Sequence, residues 1–196
     1  EPIDSVYWSL FIELKFYALV AIVLLMGRIQ QIELLFSFWL VVTIALLIYP
    51  VYPLGRLLLD GYSANFIAGA TFFFIWHRGI SWGRCLIIAS AWGCAVYQSI
   101  INVHEFEIRI QNDLNPIVIA AIVSVFFAIM GMIAGNKTGM FGRISWVWLG
   151  AMTYPLYLLH QNLGFMIFNL TYAYADPEVL FWSLIMGMAL LAFLIH

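Results

Sequence analysis

Charge is scarce in this sequence. Eight Lys and Arg and ten Asp and Glu among 196 residues amount to 9%, where a soluble domain carries about 25%. Set against 65% hydrophobic residues and a mean hydropathy of +1.00, that shortage excludes a water-soluble monomer. A formal charge of −2 with no basic stripe or charged tail sets nucleic-acid binding aside. Cysteine is nearly absent. Cys85 and Cys94 lie in one apolar run, and on a helix they point to opposite faces about 13 Å apart along the axis, so they cannot bridge. The sequence has no phosphate-binding glycine loop, no paired-cysteine site and no His-Glu-x-x-His motif, so no metal site is expected. No basic segment followed by a short apolar core and a small-residue cleavage site marks a secretory signal. No repeat of solenoid length and no similarity between halves of the inverted-repeat kind is visible.

What is present is hydrophobic length. Crossing a hydrocarbon layer of ~30 Å takes ~20 apolar residues. Apolar windows place helices at roughly 6–26, 34–50, 63–77, 84–101, 116–135, 144–170 and 179–196, which predicts an all-α, polytopic bundle of about seven spans in one domain, 1–196. The third span is short enough to be re-entrant or tilted, and the sixth contains Pro155, which removes a backbone donor and favours a kink. The breaks after the first, third and fifth spans hold Arg28, Arg78, Arg84, Lys137 and Arg143, whereas the opposite side holds Arg56 and Arg109. The positive-inside rule makes the first set cytoplasmic and turns the amino end outward. Acids run the other way, with Glu33 alone on the basic side.

Polar residues inside apolar spans carry the functional signal, because an ionisable group there costs ~2.5–3.5 kcal/mol on insertion scales. The first span reads Tyr7-Trp8-Ser9-Leu10-Phe11-Ile12-Glu13-Leu14-Lys15-Phe16-Tyr17. Ser9, Glu13 and Phe16/Tyr17 share one helix face, with Lys15 about 200° from Glu13. Glu13, ~10 Å below the outer surface, is expected to look into the bundle and line a polar cavity open to the outside. Its plainer reading is a hydrogen-bond partner locking two helices. Tyr7 and Trp8 sit where an interfacial aromatic belt belongs. The sixth span carries Thr153, Tyr157, His160, Gln161 and Gly164 at i, i+4, i+7, i+8 and i+11, a polar seam in an otherwise apolar helix. His160 falls in the outer half of the layer, as Glu13 does, so a shared cavity is expected.

Other signals read as packing or topology. Gly131, Gly135 and Gly139, four apart, suggest a close helix approach, and Asn65, Gly69 and Thr71 suggest another. Arg78, Arg84, Lys137 and Arg143 suit the phosphates of a cytosolic donor, but topology selection alone explains them. His77 and His104 sit at expected loop edges.

The string Tyr7-Trp8-Ser9-Leu10-x-x-Glu13-Leu14-Lys15-Phe16-Tyr17 resembles the Trp-Ser-Leu-x-x-Glu-x-x-Phe-Tyr signature of the acyltransferase 3 family of integral membrane O-acyltransferases. Thr153-Tyr154-Pro155-Leu156-Tyr157-Leu158-Leu159-His160-Gln161 is similar to that family's Ser/Thr-Tyr-x-x-Tyr-Leu-x-His element, and Phe66-Ile67-Ala68-Gly69-Ala70 adds a weaker likeness. The resemblance implies a bundle of about ten helices in the plasma or inner membrane. Such an enzyme moves an acyl group, usually acetyl, from cytosolic acyl-CoA to a hydroxyl of an extracytoplasmic glycan or other cell-surface acceptor. It implies acyl-CoA as a donor co-substrate with no bound cofactor. It also implies that Glu13, His160 and Tyr157 take part in catalysis, with Trp8, Ser9, Tyr17, Thr153 and Gln161 around the substrate. The family's first helix, with an Arg/Lys and a His about ten residues apart, has no counterpart here, so the chain resembles the central and carboxy-terminal portion and is expected to be inactive alone. The alternative is a transporter or channel with a Glu13, Lys15 and His160 relay. A retinal photoreceptor is excluded because the last span, from Val179 onward, has no lysine.

Overall fold

A computed structural model describes residues 7–27, 31–49, 51–58, 61–110 and 114–195. The described residues form helices only: α1 Tyr7–Leu25, α2 Ile32–Ile48, the short α3 Tyr52–Leu57, α4 Ser63–Arg78, α5 Trp82–Ile110, α6 Pro116–Ala134, α7 Val147–Thr171 and α8 Pro177–Ile195, with a 3-10 turn at Phe141–Arg143 between α6 and α7. Seven of them stand where the hydrophobic windows put them. Among the described residues, three helices are long and apolar enough to cross a membrane: Trp82–His104 within α5, Pro116–Ala134 and Pro177–Ile195. The expected seven spans therefore reduce to three on that criterion, and α2, at 17 residues, falls just short of it.

Local chemistry sets the helix ends. Asn115 Oδ1 accepts from Ile117 N at 2.9 Å, and Pro116, which has no N–H to leave orphaned, occupies the first position of α6. Asp176 Oδ1 accepts from the Glu178 and Val179 amides at 2.9 and 3.2 Å, with Pro177 behind it. α6 stops because Asn136 turns left-handed, at φ 54°. The Asn136 amide then bonds Ile133 O and the Lys137 amide bonds Met132 O, a Schellman closure that satisfies the last carbonyls.

The chain divides into two compact units, Ile12–Gly142 and Glu1–Phe11 with Arg143–His196. In the first, α4 is the central helix, buried through Ser63, Ala64, Ile67, Ala68, Thr71, Phe72, Phe74 and Ile75. Four of these are small, which lets the backbones of α2, α5 and α6 approach closely. The expected packing face through Asn65 and Gly69 is corrected: both are exposed, and only Thr71 of that trio is buried. One end of the unit is stitched by polar contacts. Thr43 Oγ1 donates to Ser63 Oγ at 3.0 Å, Trp39 Nε1 to Leu58 O at 3.0 Å and Asn102 Nδ2 to Gly61 O at 3.1 Å.

The other end is held by charge. Arg84, at the start of α5, donates Nε to Glu33 Oε2 at 3.0 Å and NH2 to Oε1 at 2.8 Å, a two-pronged fork. Its NH1 donates to Gly79 O at 2.6 Å. Arg78, at the end of α4, donates to Glu33 Oε1 at 2.9 Å and lies over the Phe74 ring. Glu33, which precedes the apolar run of α2, is thus the acid that ties together two of the basic side's arginines. The Arg84 hydrogen bonds hold its carboxyl below the ordinary value of 4.5, partial burial opposes them, and Arg78 adds to the depression.

Two further expectations are revised. α5 continues to Ile110, nine residues past its expected end, so His104 lies within a helix rather than at a loop edge, whereas His77 stands in the last turn of α4, at the edge of the Gly79 loop as expected. Hydropathy falls at Glu105, Glu107 and Arg109, which ends an apolar window but not a helix. Gly139 lies beyond α6 with φ 55°, so the three glycines do not form one face. Cys85 and Cys94 are both free, as their spacing requires.

Substitutions at two positions test this framework. Ser63→Leu, at a fully buried contact of α4, is expected to destabilise by about 1–3 kcal/mol through overpacking, and Ser63→Ala by about 1 kcal/mol, read by unfolding in mixed micelles. Glu33→Gln is expected to cost about 1–3 kcal/mol. The carboxyl is depressed in the fold, so its stabilisation is complete above pH 4.5 and is lost as pH falls through the lower folded value. The acid limb of the stability profile should therefore flatten in Glu33→Gln.

Candidate functional site

The polar seam of the sixth hydrophobic window lies on α7, which continues through Pro155. Thr153, Leu156, Tyr157, His160, Gly164, Phe165 and Phe168 form one wall of a groove of about 740 Å³, and Phe181, Leu184, Ile185, Met188 and Ala189 of α8 form the other. The groove lies wholly within the unit that holds Arg143–His196. Four of the five seam residues thus line one hollow, as their spacing predicts. The fifth, Gln161, is on α7, but its side chain lies outside the described residues, as do those of Trp8 and Ser9 at the start of α1.

His160 and Tyr157, one turn apart, bring their rings to a centroid separation of 5.8 Å. His160 Nδ1 lies 3.1 Å from the Leu156 carbonyl oxygen. A carbonyl can only accept, so this contact requires hydrogen on Nδ1, and in the corresponding neutral tautomer the lone pair is on Nε2. Thr153 Oγ1 donates back to Gly150 O at 2.6 Å, which leaves the hydroxyl oxygen's lone pairs for the groove. Gly164 contributes volume, since a Cβ built there meets nothing within 4 Å. The result is a mostly apolar channel bearing a base, a phenol and a hydroxyl along one wall. That composition suits a ligand with a hydrocarbon portion and one reacting polar group.

Glu13 belongs to the other unit, in which α1 packs through Ile12, Phe16, Leu19 and Val23. These follow the i, i+4, i+7, i+11 stripe of an apolar helix face. Phe16 stacks on Phe66 at 4.6 Å and on Trp39 at 6.3 Å. Glu13 sits one residue round the helix from Ile12 and is exposed, and Tyr17 is 59% exposed. Within this unit the aromatic at position 16 takes the packed face, and the exposed Glu13 carboxylate flanks it. Lys15 is half-buried. Among the described residues no group of three His, Cys, Asp or Glu could hold a metal.

Sequence reasoning missed the α8 wall. Phe181, Leu184, Ile185, Met188 and Ala189 repeat at helical spacing, but in a helix that is apolar all round, this face is indistinguishable from one meant for lipid. No family model, curated protein or solved structure matches the chain. The tautomer assignment is open to measurement: in the membrane-embedded protein labelled with ¹⁵N-histidine, the neutral His160 ring is expected to show a protonated Nδ1 and a bare Nε2, with the signal assigned to His160 by its absence in His160→Gln.

Proposed function

We propose that this chain is the central and carboxy-terminal portion of an integral membrane O-acyltransferase. In this reading α1, α2, α4, α5, α6, α7 and α8 all cross the bilayer, with the ends bearing Arg78, Arg84 and Lys137 on the cytoplasmic side by the positive-inside rule. The two shorter helices, α2 and α4, rise about 26 and 24 Å, and neighbouring helices or local thinning accommodate the mismatch. The donor is a cytosolic acyl-CoA, and the acceptor is a hydroxyl of an extracytoplasmic glycan or similar cell-surface molecule.

The observation that carries this reading is the groove between α7 and α8. The residues of the second stretch that resembles acyltransferase 3 proteins, Thr153, Tyr157 and His160, line one wall of it together. Acyl transfer needs a base for the acceptor's hydroxyl proton and a donor for the tetrahedral oxyanion. His160 Nε2 supplies the first and the Tyr157 phenol the second. The hydroxyl oxygen attacks the thioester carbonyl, its proton passes to Nε2, and collapse of the intermediate expels the CoA thiolate. Glu13, from the first resembling stretch, serves by fixing the tautomer of an imidazole elsewhere in the whole protein.

The test is acceptor acylation by the whole protein in cells, read by mass spectrometry of surface glycans at matched membrane abundance. His160→Ala is expected to lower acylation about 100-fold or more, the range for loss of a general base. Gly164→Leu, whose Cβ meets no atom within 4 Å and whose branched end would occupy the channel, is expected to abolish it with the protein still present in the membrane at normal abundance. Full acylation in both variants would refute the assignment of the groove. Full acylation in Glu13→Gln would remove that carboxylate from the mechanism.

A further inference from the structure

A second hollow, of about 350 Å³, lies in the other unit between α4, α5 and α6. Its wall is apolar throughout, from Phe72, Ile75, Ile88, Trp92 and Phe127 among others. The hollow is at the basic end of the unit. Ile75 is one turn before Arg78 on α4, and Cys85 follows Arg84 on α5. Gly135 closes it at the end of α6, where a Cβ would meet Lys137 Cγ at 3.9 Å. The Schellman closure fixes the Lys137 backbone at that rim, and its side chain is exposed. Among the described residues the ion pairs at this end are those of Arg78 and Arg84 with Glu33. Glu33 offsets one of the three cations and leaves positive charge in excess beside an apolar cleft. Trp76 and Trp82, 54% and 92% exposed, mark the level of a bilayer interface at this same end.

We infer that this hollow is a binding site for an anionic phospholipid, with an acyl chain between α4, α5 and α6 and the headgroup phosphate against Lys137. Charge complementarity selects the occupant. A neutral lipid would fill the cleft but leave the cation unanswered, whereas a soluble anion would meet the cation but leave the apolar wall empty. Basic residues at the rim of an apolar cleft between transmembrane helices are the arrangement that recognises anionic headgroups. The aliphatic stem of a lysine also lies readily along apolar surface while its ammonium stays at headgroup level. Gly131 leaves room for the chain, because a Cβ there would only touch Phe72 Cε1 at 3.8 Å. The site is separate from the α7–α8 groove and does not rest on the acyltransferase reading.

Trp92 lines the cleft and gives a local reporter. The full chain is reconstituted in vesicles containing phosphatidylglycerol or phosphatidylcholine with brominated acyl chains, and the share of tryptophan quenching that disappears in Trp92→Phe is measured. Phosphatidylglycerol is expected to quench that share at lower mole fraction than phosphatidylcholine. Lys137→Gln, at an exposed position that leaves the core untouched, is expected to reduce the preference about fivefold, the contribution of one cation near a membrane surface. Gly131→Leu is expected to weaken quenching by both lipids. An equal response to the two lipids in the unsubstituted protein, or an unchanged preference in Lys137→Gln, would overturn the proposal. Relief of the preference by inorganic phosphate at constant ionic strength would also overturn it, in favour of a site for soluble anions.

Discussion

The fork of Arg84 on Glu33 decides which helix ends of the larger unit lie together. With a single carboxylate on the basic side of the chain, α2 must begin where α4 ends and α5 begins, because no other acid there can answer the two guanidiniums. Once these three termini are fixed, the helices run in alternate directions. Ser63 is carried to the far end, where it meets Thr43, and the C-terminus of α6 returns beside Ile75 and Cys85. The hollow rimmed by Lys137 exists because of that return. A charge-assisted contact can do this in so apolar a chain because it works at the ends of the helices, where charge is still tolerated, while the spans themselves supply only close packing.

Packing inside the unit follows a different rule. Water does not drive apolar helices together when their alternative surroundings are equally apolar, so contact depends on how near two backbones can come. Ser63, Ala64, Ala68 and Thr71 on α4 meet that need, and larger residues at Ile67 and Phe72 fill the remaining space. α6 shows the converse, with 6% of its apolar window buried: Val123 and Phe127 pack on the core, while most of its other large side chains are exposed. The α7–α8 pair belongs to the same regime, since its groove is apolar except where Thr153, Tyr157 and His160 face it.

Much of this was legible from sequence because it depends on local order. The hydrophobic windows stand where seven of the helices form, because an apolar run is itself a local property. The spacing of Thr153, Tyr157, His160 and Gly164 announces a shared face, and the structure gives that face a groove. The reading failed where hydropathy and helicity diverge. Glu105, Glu107 and Arg109 end an apolar window without ending α5, because charged residues are good helix formers. Sequence is also silent where neighbouring positions compete for one face. Either Glu13 or Phe16 could have turned inward on α1, and stacking against Phe66 and Trp39, residues some 20 to 50 positions away, gives that place to Phe16.

The sequence alone therefore determined that the described residues form helices only, where most of those helices lie and that the α7 polar residues share a stripe. These follow from composition, hydropathy and the 3.6-residue period, all of which act within a few residues of one another. Only the tertiary structure decided that Glu33 serves both Arg78 and Arg84, that α8 supplies the opposite wall of the His160 groove, and that Gly131 and Gly135 border a cleft. Each of these depends on which helices become neighbours, and in a chain apolar on every face no local pattern records that choice.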